Sequence, residues 1–308
     1  MIYIEQPVLF LVGPTAIGKT ALSIDIAKKY NCEIISMDSM QIYQHMDVGT
    51  AKITHEEKDG VVHHLLDVVP PDEHYDAALY CDDALIAIQN IHSMGKIPLI
   101  TGGTGLYLQS LTQGFFDGPP GDEKVRSQLE HELESEGAEA MHQKLTTIDS
   151  ISANKIHPND SYRVIRALEV YRLTNIALSE HIRRQERVER FTNCLKIGLT
   201  APREKLYERI NLRTEIMLEQ GLEQEVRKLL AMGYTRDLKS MGSIGYKHMV
   251  HYLEGEWDFE EMKTLLARDT RRYAKRQYTW FNKDKDIQWF DVKKEQKKIH
   301  NLIENWCV

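Results

Sequence analysis

The chain of 308 residues holds only four cysteines, Cys32, Cys81, Cys194 and Cys307, and no two of them form a CxxC pair. Scattered this way they argue against a zinc site and for reduced thiols in a cytoplasmic protein. The N-terminus lacks the charged segment, apolar core and small-residue cleavage site of a secretory leader. No run approaches the ~18 apolar residues of a membrane helix. Net positive charge is also missing: 39 Lys and Arg stand against 46 Asp and Glu, a formal charge of −7. Such a balance excludes a protein that coats nucleic acid indiscriminately. His63 and His64 do not make a metal pair, because neighbouring strand positions face opposite ways and no third ligand is spaced to join them. His157, before Pro158, reads as a loop residue. With 42% hydrophobic and 28% charged residues, the composition is that of an ordinary globular protein of about two domains.

What is present is more telling. The apolar run Val8–Val12 leads directly into Gly13, Pro14, Thr15, Ala16, Ile17, Gly18, Lys19 and Thr20. This fits G-x-x-x-x-G-K-[ST], the phosphate-cradling loop, between a strand and a helix. Its glycines let consecutive N–H groups point at an anion, and the helix starting near Lys19 adds its positive dipole end. Lys19 supplies a mobile charge to the terminal phosphate, and the Thr20 hydroxyl a ligand for Mg²⁺. A di- or triphosphate is therefore expected.

Short apolar runs predict buried strands at 8–12, 32–37, 64–69, 97–101, 194–200 and 286–291, with helices at 19–30, 76–94, 202–232 and 258–282. Strand–helix alternation implies an α/β fold, a parallel sheet flanked by helices, with binding at the carboxyl ends of its strands. The pattern breaks at Phe115-Phe116-Asp117-Gly118-Pro119-Pro120-Gly121. Residues 118–190 then read as a charge-rich helical insertion in a core domain made of 1–117 and 191–308.

Several segments hold candidate chemistry. Asp38, with Ser39 and Gln41, follows the second strand and is a base, a metal ligand or a turn cap. Thr104, in Gly102-Gly103-Thr104-Gly105, presents a hydroxyl to a ligand or caps a helix. No acidic residue ends that fourth strand, and Asp67 sits inside its own run, which weakens a nucleotide-hydrolase reading. Arg163 and Arg166 share a helix face behind the capping Asp160 or Ser161. Arg268, Arg272 and Arg276 repeat every four residues and form a basic ridge suited to a phosphate backbone. Tyr273, Trp280 and Phe281 beside them read as core residues.

Together these segments resemble the tRNA dimethylallyltransferase family, the isopentenyl transferases that modify the adenosine next to the anticodon. The resemblance rests on GPTAIGKT, DSMQIY, MDVGTAK at 46–52, ITGGTGLYL, HPNDSYRVIRALEVY, GLEQEVRKL, SIGYK and RRYAKRQYTWF, in order along nearly the whole chain. It implies a P-loop NTPase-like core whose loop, residues 13–20, binds the diphosphate of dimethylallyl diphosphate together with Mg²⁺. Arg227 and Arg213 are implied to add charge against that diphosphate. Asp38 is implied to take the proton from N6 of the flipped adenine. Ser39, Met40, Gln41 and Thr104 match positions facing the RNA or that base. Arg126, Arg163, Arg166, Tyr246, Lys247, Arg272 and Arg276 match an anticodon stem-loop surface over which the insertion would close. Two departures stand out: Ile17 where a small residue is common, and His45 where arginine is frequent. A monomer is expected, and the want of a Cys/His finger extension after Val308 suggests a bacterial source. Three other readings predict different features. A transferase acting on free adenine nucleotides needs neither the insertion nor the basic ridge. A small-molecule kinase leaves the aromatic-basic segment unexplained, and a non-enzymatic RNA-binding module leaves Lys19, Thr20 and Asp38 without a purpose.

Overall fold

The computed structural model describes residues 3–114, 118–119, 121–184 and 190–307. They fall into two compact units, Met1–Gln113 with Glu189–Val308, and Gly114–Val188. The insertion expected at 118–190 lies within a few residues of the second unit. Part of the punctuating segment, 115–117 and 120, is outside the described residues.

The first unit carries a six-stranded sheet in the order β3-β2-β4-β1-β5-β6. The strands are β1 (Val8–Val12), β2 (Cys32–Met37), β3 (His63–His64), β4 (Ile97–Gly102), β5 (Cys194–Thr200) and β6 (Gln288–Asp291), all pairing parallel. Helices α1 (Lys19–Lys29), α2 (Ala77–Ser93) and α3 (Gly105–Gln113) belong to its first half. The second unit holds α4 (Glu123–Glu136), α5 (Ala138–Ile148), α6 (Ser150–Ala153), α7 (Ser161–Thr174) and α8 (Leu178–Arg184). The first unit is completed by α9 (Arg203–Glu219), α10 (Leu222–Ala231), α11 (Tyr246–Leu253), α12 (Phe259–Phe281) and α13 (Gln296–Cys307).

Every residue of β1 is 0% exposed, as an unbroken apolar strand covered on both faces should be. Leu9 and Leu11 pack with Ile26 of α1, Ile197 of β5, Ile210 of α9 and Ile299 and Ile303 of α13. Register sets the site: Val12 stands opposite Gly102 and Gly198, and Met37 opposite Gly102. The loops after β2, β4 and β1 therefore leave one edge side by side. The chain leaves β1 toward β2 on one side and β4 toward β5 on the other, so the crevice above β1 and β4 is the topological switch point where ligands bind.

Two expectations are corrected. The strand expected at 64–69 is only His63–His64, because Leu65 and Asp67 take left-handed φ of 59° and 56°, which an extended run cannot contain. The helix expected at 202–232 is two, α9 and α10, interrupted at Gln220 and Gly221. Helices α11 and α13 were not foreseen, and α3 only as the helix that one reading has Thr104 cap.

The helical unit has a core of its own, including Leu129, Met141, Leu145, Val164 and Leu168. Asp122, Asp149 and Asp160 cap three of its helices through side-chain oxygens. Its central polar element is Glu169 on α7, 0% exposed. One carboxylate oxygen accepts from Arg166 at 2.6 Å and Arg126 at 3.3 Å, and the other from the Asp122 amide at 3.0 Å. Removing that acceptor strands three donors. Glu169→Ala is expected to destabilise the helical unit by about 2–3 kcal/mol, seen as earlier hydrogen exchange across α4 and α7. Unchanged protection there would contradict the assignment.

Candidate active site

The loop after β1 turns into α1 through Gly18, whose φ of 105° and ψ of 24° lie in the left-handed region that glycine enters without strain. No side chain caps α1, whereas Asp76 caps α2 through two amides. The first-turn N–H groups of α1 are thus left for an anion, and the helix dipole favours one. The Lys19 ammonium folds over this loop and donates to the Gly13 and Pro14 carbonyls at 2.9 and 2.8 Å. Desolvation lowers its pKa to about 7; nearby Asp38 opposes the shift and Arg213 adds to it. Arg209, unremarked in the sequence, donates to the Ile17 carbonyl at 2.8 Å and braces the loop from α9.

Asp38 follows β2 and is the turn cap that one of its expected readings named. One carboxylate oxygen accepts from the Met40 and Gln41 amides at 2.9 and 3.4 Å, closing the turn. The residue still lines two cavities, of about 230 and 380 Å³. Thr104 stands next to it: its hydroxyl accepts the Ser39 N–H at 3.1 Å, tying the β4–α3 turn to the β2 loop. The smaller cavity is bounded by Gly18, Lys19 and Thr20, with Gln41 and the apolar Ile34, Ile53 and Leu66. The larger is bounded by Ser39, Met40, Lys247, Tyr273 and Arg276. Thr15, Asp38 and Arg213 line both. One carboxylate and one guanidinium therefore stand where an anion cavity meets a wider one.

The other expected residues divide. Arg213, half-buried, donates to the Thr50 carbonyl at 3.4 Å, and its pKa is lowered by desolvation against the pull of Asp38. Arg227 is not at the phosphate loop; it lies on the outer face of α10, 61% exposed and paired with Glu223. Tyr246 is a second correction. It is 0% exposed and donates to Glu225 at 2.6 Å, so no RNA reaches its ring. Arg272 is exposed, with Asp269 3.5 Å away, and Arg276 lies 5.6 Å over the Tyr273 ring. Arg163 pairs with Asp160, the cap of its own helix. Arg126 and Arg166 are the partners of buried Glu169. Of the three aromatics taken for core, Phe281 is buried, Trp280 is 36% exposed, and Tyr273 lines the larger cavity.

Besides Arg209, two contributors escaped the sequence reading, Glu225 and Gln277. Glu225 accepts the amides of Asp47, Val48 and Gly49 at 2.8–3.0 Å, fixing the loop whose Thr50 carbonyl holds Arg213. Gln277 reaches the phosphate loop from α12, accepting the Thr15 N–H at 2.8 Å. Tyr273 keeps its proton, because burial and the nearby Asp38 charge push its pKa up. The GLEQEV and RQYTWF motifs contain two of these residues, but no local pattern marks their partners.

For a metal, the site offers the Thr20 hydroxyl and the Asp38 carboxylate, both hard oxygen donors on one cavity. Among the described residues no group of three or more His, Cys, Asp and Glu stands together. Such a donor set suits Mg²⁺, which keeps several waters and binds through substrate phosphates.

The fold and site define a P-loop-like α/β protein in which the phosphate-loop cavity and a wider one share one carboxylate. Residues 41–284 match the IPP transferase family. The chain belongs to that family. A tRNA dimethylallyltransferase of Desulfotalea psychrophila is 61% identical over 98% of this chain and 96% of its own length. Another, of Thermotoga maritima, is 45% identical over 96% and 98%. The solved tRNA isopentenylpyrophosphate transferase of Bacillus halodurans is similar with a TM-score of 0.73 at 44% identity, over 98% of this chain and 97% of that one. A eukaryotic dimethylallyltransferase acting on tRNA gives a TM-score of 0.82 at 30% identity, over 98% of this chain and 80% of that one.

The Lys19 shift has a testable consequence. A lysine whose folded pKa is depressed holds fewer protons than the unfolded chain between about pH 7 and 10.5, so folding stability rises with pH over that window. A bound diphosphate restores the charged form. At about pH 8, binding of inorganic diphosphate is expected to take up roughly one proton beyond the ligand's own titration, and at about pH 6 almost none at Lys19. Calorimetry in buffers of different ionisation enthalpy measures this, with Lys19→Arg as the always-charged reference. Equal uptake in the two proteins at the higher pH would contradict it.

Proposed function

We infer that this chain transfers the dimethylallyl group of dimethylallyl diphosphate to N6 of the adenosine 3′-adjacent to the anticodon of tRNA, releasing diphosphate. The observation that carries the reading is Asp38 at the junction of two cavities, one built for an anion and one wide enough for a base. The diphosphate occupies the 13–20 loop, on the free amides of α1 and beside Lys19. Arg213 rather than Arg227 lies close enough to the reacting end to add its charge.

The adenine enters from the larger cavity, flipped out of the RNA because a stacked base cannot reach this depth. Its N6 attacks C1 of the dimethylallyl group as the C1–O bond breaks, and the electron pair leaves with the diphosphate. The transition state carries allyl-cation character, so stabilising the departing diphosphate lowers the barrier most. The loop amides, already oriented, do this without reorganising, and Lys19 adds its charge on turning from the Gly13 and Pro14 carbonyls to the phosphate. N6 is a poor nucleophile because its lone pair is delocalised into the ring; Asp38 accepts its hydrogen bond and then its proton. The second Asp38 oxygen is available for this, since the first is held by the Met40 and Gln41 amides. Mg²⁺, held by Thr20 and the diphosphate, would supply further charge neutralisation at the leaving group.

On the RNA side, Lys247, Arg272 and Arg276 of the first unit offer charge to the stem-loop; Arg163, in the second unit, is exposed and paired with Asp160. Arg126 and Arg166 contribute less, because their guanidinium groups are engaged with Glu169. The enzyme acts as a monomer in the cytoplasm.

Radiolabelled dimethylallyl diphosphate with Mg²⁺, offered unmodified tRNA beside free AMP, is expected to label tRNA alone. Label on AMP would move the protein to the nucleotide-modifying relatives, and ATP-dependent phosphorylation with no label would make it a kinase. Asp38→Asn is expected to slow single-turnover transfer by about a hundredfold or more while diphosphate affinity stays within about threefold. Unchanged chemistry in that variant would remove Asp38 from the mechanism.

A further inference from the structure

Gln277 is a buried side-chain amide, 5% exposed, with both polar atoms committed to backbone far away in the chain. Its Oε1 accepts the Thr15 N–H of the phosphate loop at 2.8 Å. Its Nε2 donates to the Gly103 carbonyl of the β4–α3 turn at 2.9 Å. The fit leaves no slack, for a Cβ at Gly103 would lie 2.1 Å from Nε2. One turn earlier on α12, the Tyr273 phenol interacts with the side chains of both Gln277 and Thr104. Thr104 in turn holds the Ser39 amide. The two Gln277 hydrogen bonds therefore tie α12, whose Tyr273 and Arg276 line the larger cavity, to the phosphate loop and to the β4–α3 turn.

We propose that Gln277 is a positioning residue, which sets the phosphate loop from the same helix that presents Tyr273 and Arg276 to the acceptor. The inference rests on the transfer reaction given above. Thr15 lines both cavities, so its orientation decides where the anion site ends and the acceptor site begins. By occupying the Thr15 N–H and anchoring to the turn after β4, Gln277 fixes the loop in the shape that leaves the amides at the start of α1 free for the leaving group. RNA bound against α12 thus stiffens the diphosphate site, and diphosphate stiffens the RNA site in return, as linkage requires.

Two variants break this clamp from opposite sides: Gln277→Met, of similar shape without the polar atoms, and Gly103→Ala, which displaces the amide. Each is expected to weaken inorganic diphosphate binding by about tenfold, the effect of one lost buried hydrogen bond, and to slow single-turnover transfer at saturating dimethylallyl diphosphate. Affinity for an anticodon stem-loop measured without diphosphate should stay within about twofold. The tightening of diphosphate binding by the stem-loop, present in the wild type, should fall in both variants, and the double variant should be no worse than the worse single one. Diphosphate affinity and turnover unchanged in both variants would overturn the proposal. So would equal weakening of diphosphate and RNA binding together with a lowered Tm, which marks a merely structural role. Failure of the wild type to label tRNA is a separate result and would count against the transfer reaction, since the diphosphate titration needs no acceptor.

Discussion

A half-buried, desolvated ammonium without a hydrogen-bonded carboxylate organises this molecule. Lys19 is held by two loop carbonyls, and burial, helped by Arg213, brings its pKa to about 7. A withdrawn cation is costly unless an anion completes it. The protein sets its nearest carboxylate, Asp38, on the neighbouring loop, and Asp38 spends one oxygen on its own turn. Lys19, Arg213 and the uncapped start of α1 thus converge on a place that only a strongly anionic ligand satisfies. The lack of a carboxylate at the end of β4 weakens a nucleotide-hydrolase reading of this place.

Helix α12 is the second organising element. One face carries Leu266, Ala274 and Phe281 into the core. Another presents Tyr273 and Arg276 to the larger cavity, while Gln277 reaches the phosphate loop. A single helix therefore lines both cavities. Glu225 does for the 47–49 loop what Gln277 does for the phosphate loop. In both cases a polar side chain on a helix replaces the secondary structure that an irregular segment lacks, and buried backbone groups find partners they otherwise lose.

The phosphate loop was legible because its chemistry needs fixed residue types in one contiguous run. The strands were legible because a strand covered on both faces must be apolar throughout, as β1 is. Asp38 and Thr104 followed from position, since a parallel sheet brings strand ends to one edge. Gln277 and Glu225 were not legible, because their partners are backbone groups 262 and 176 positions away. Arg213 and Arg227 looked alike in sequence; the break at Gln220 and Gly221 puts them on separate helices, one against the site and one facing solvent. Tyr246 misled because an aromatic in a glycine-containing loop reads as exposed, while Glu225 draws its hydroxyl inward. Leu65 and Asp67 misled because backbone handedness leaves no trace in an apolar pattern.

The central claim is spatial: diphosphate in the smaller cavity, adenine in the larger, Asp38 between them. The most direct measurement is a crystal structure with an unmodified anticodon stem-loop and an unreactive thiolo analogue of dimethylallyl diphosphate. Diphosphate oxygens are expected on the free amides of the phosphate loop and the start of α1, with adenine N6 within hydrogen-bond distance of Asp38. A diphosphate bound away from that loop, or an adenine whose N6 faces any group other than Asp38, would contradict it.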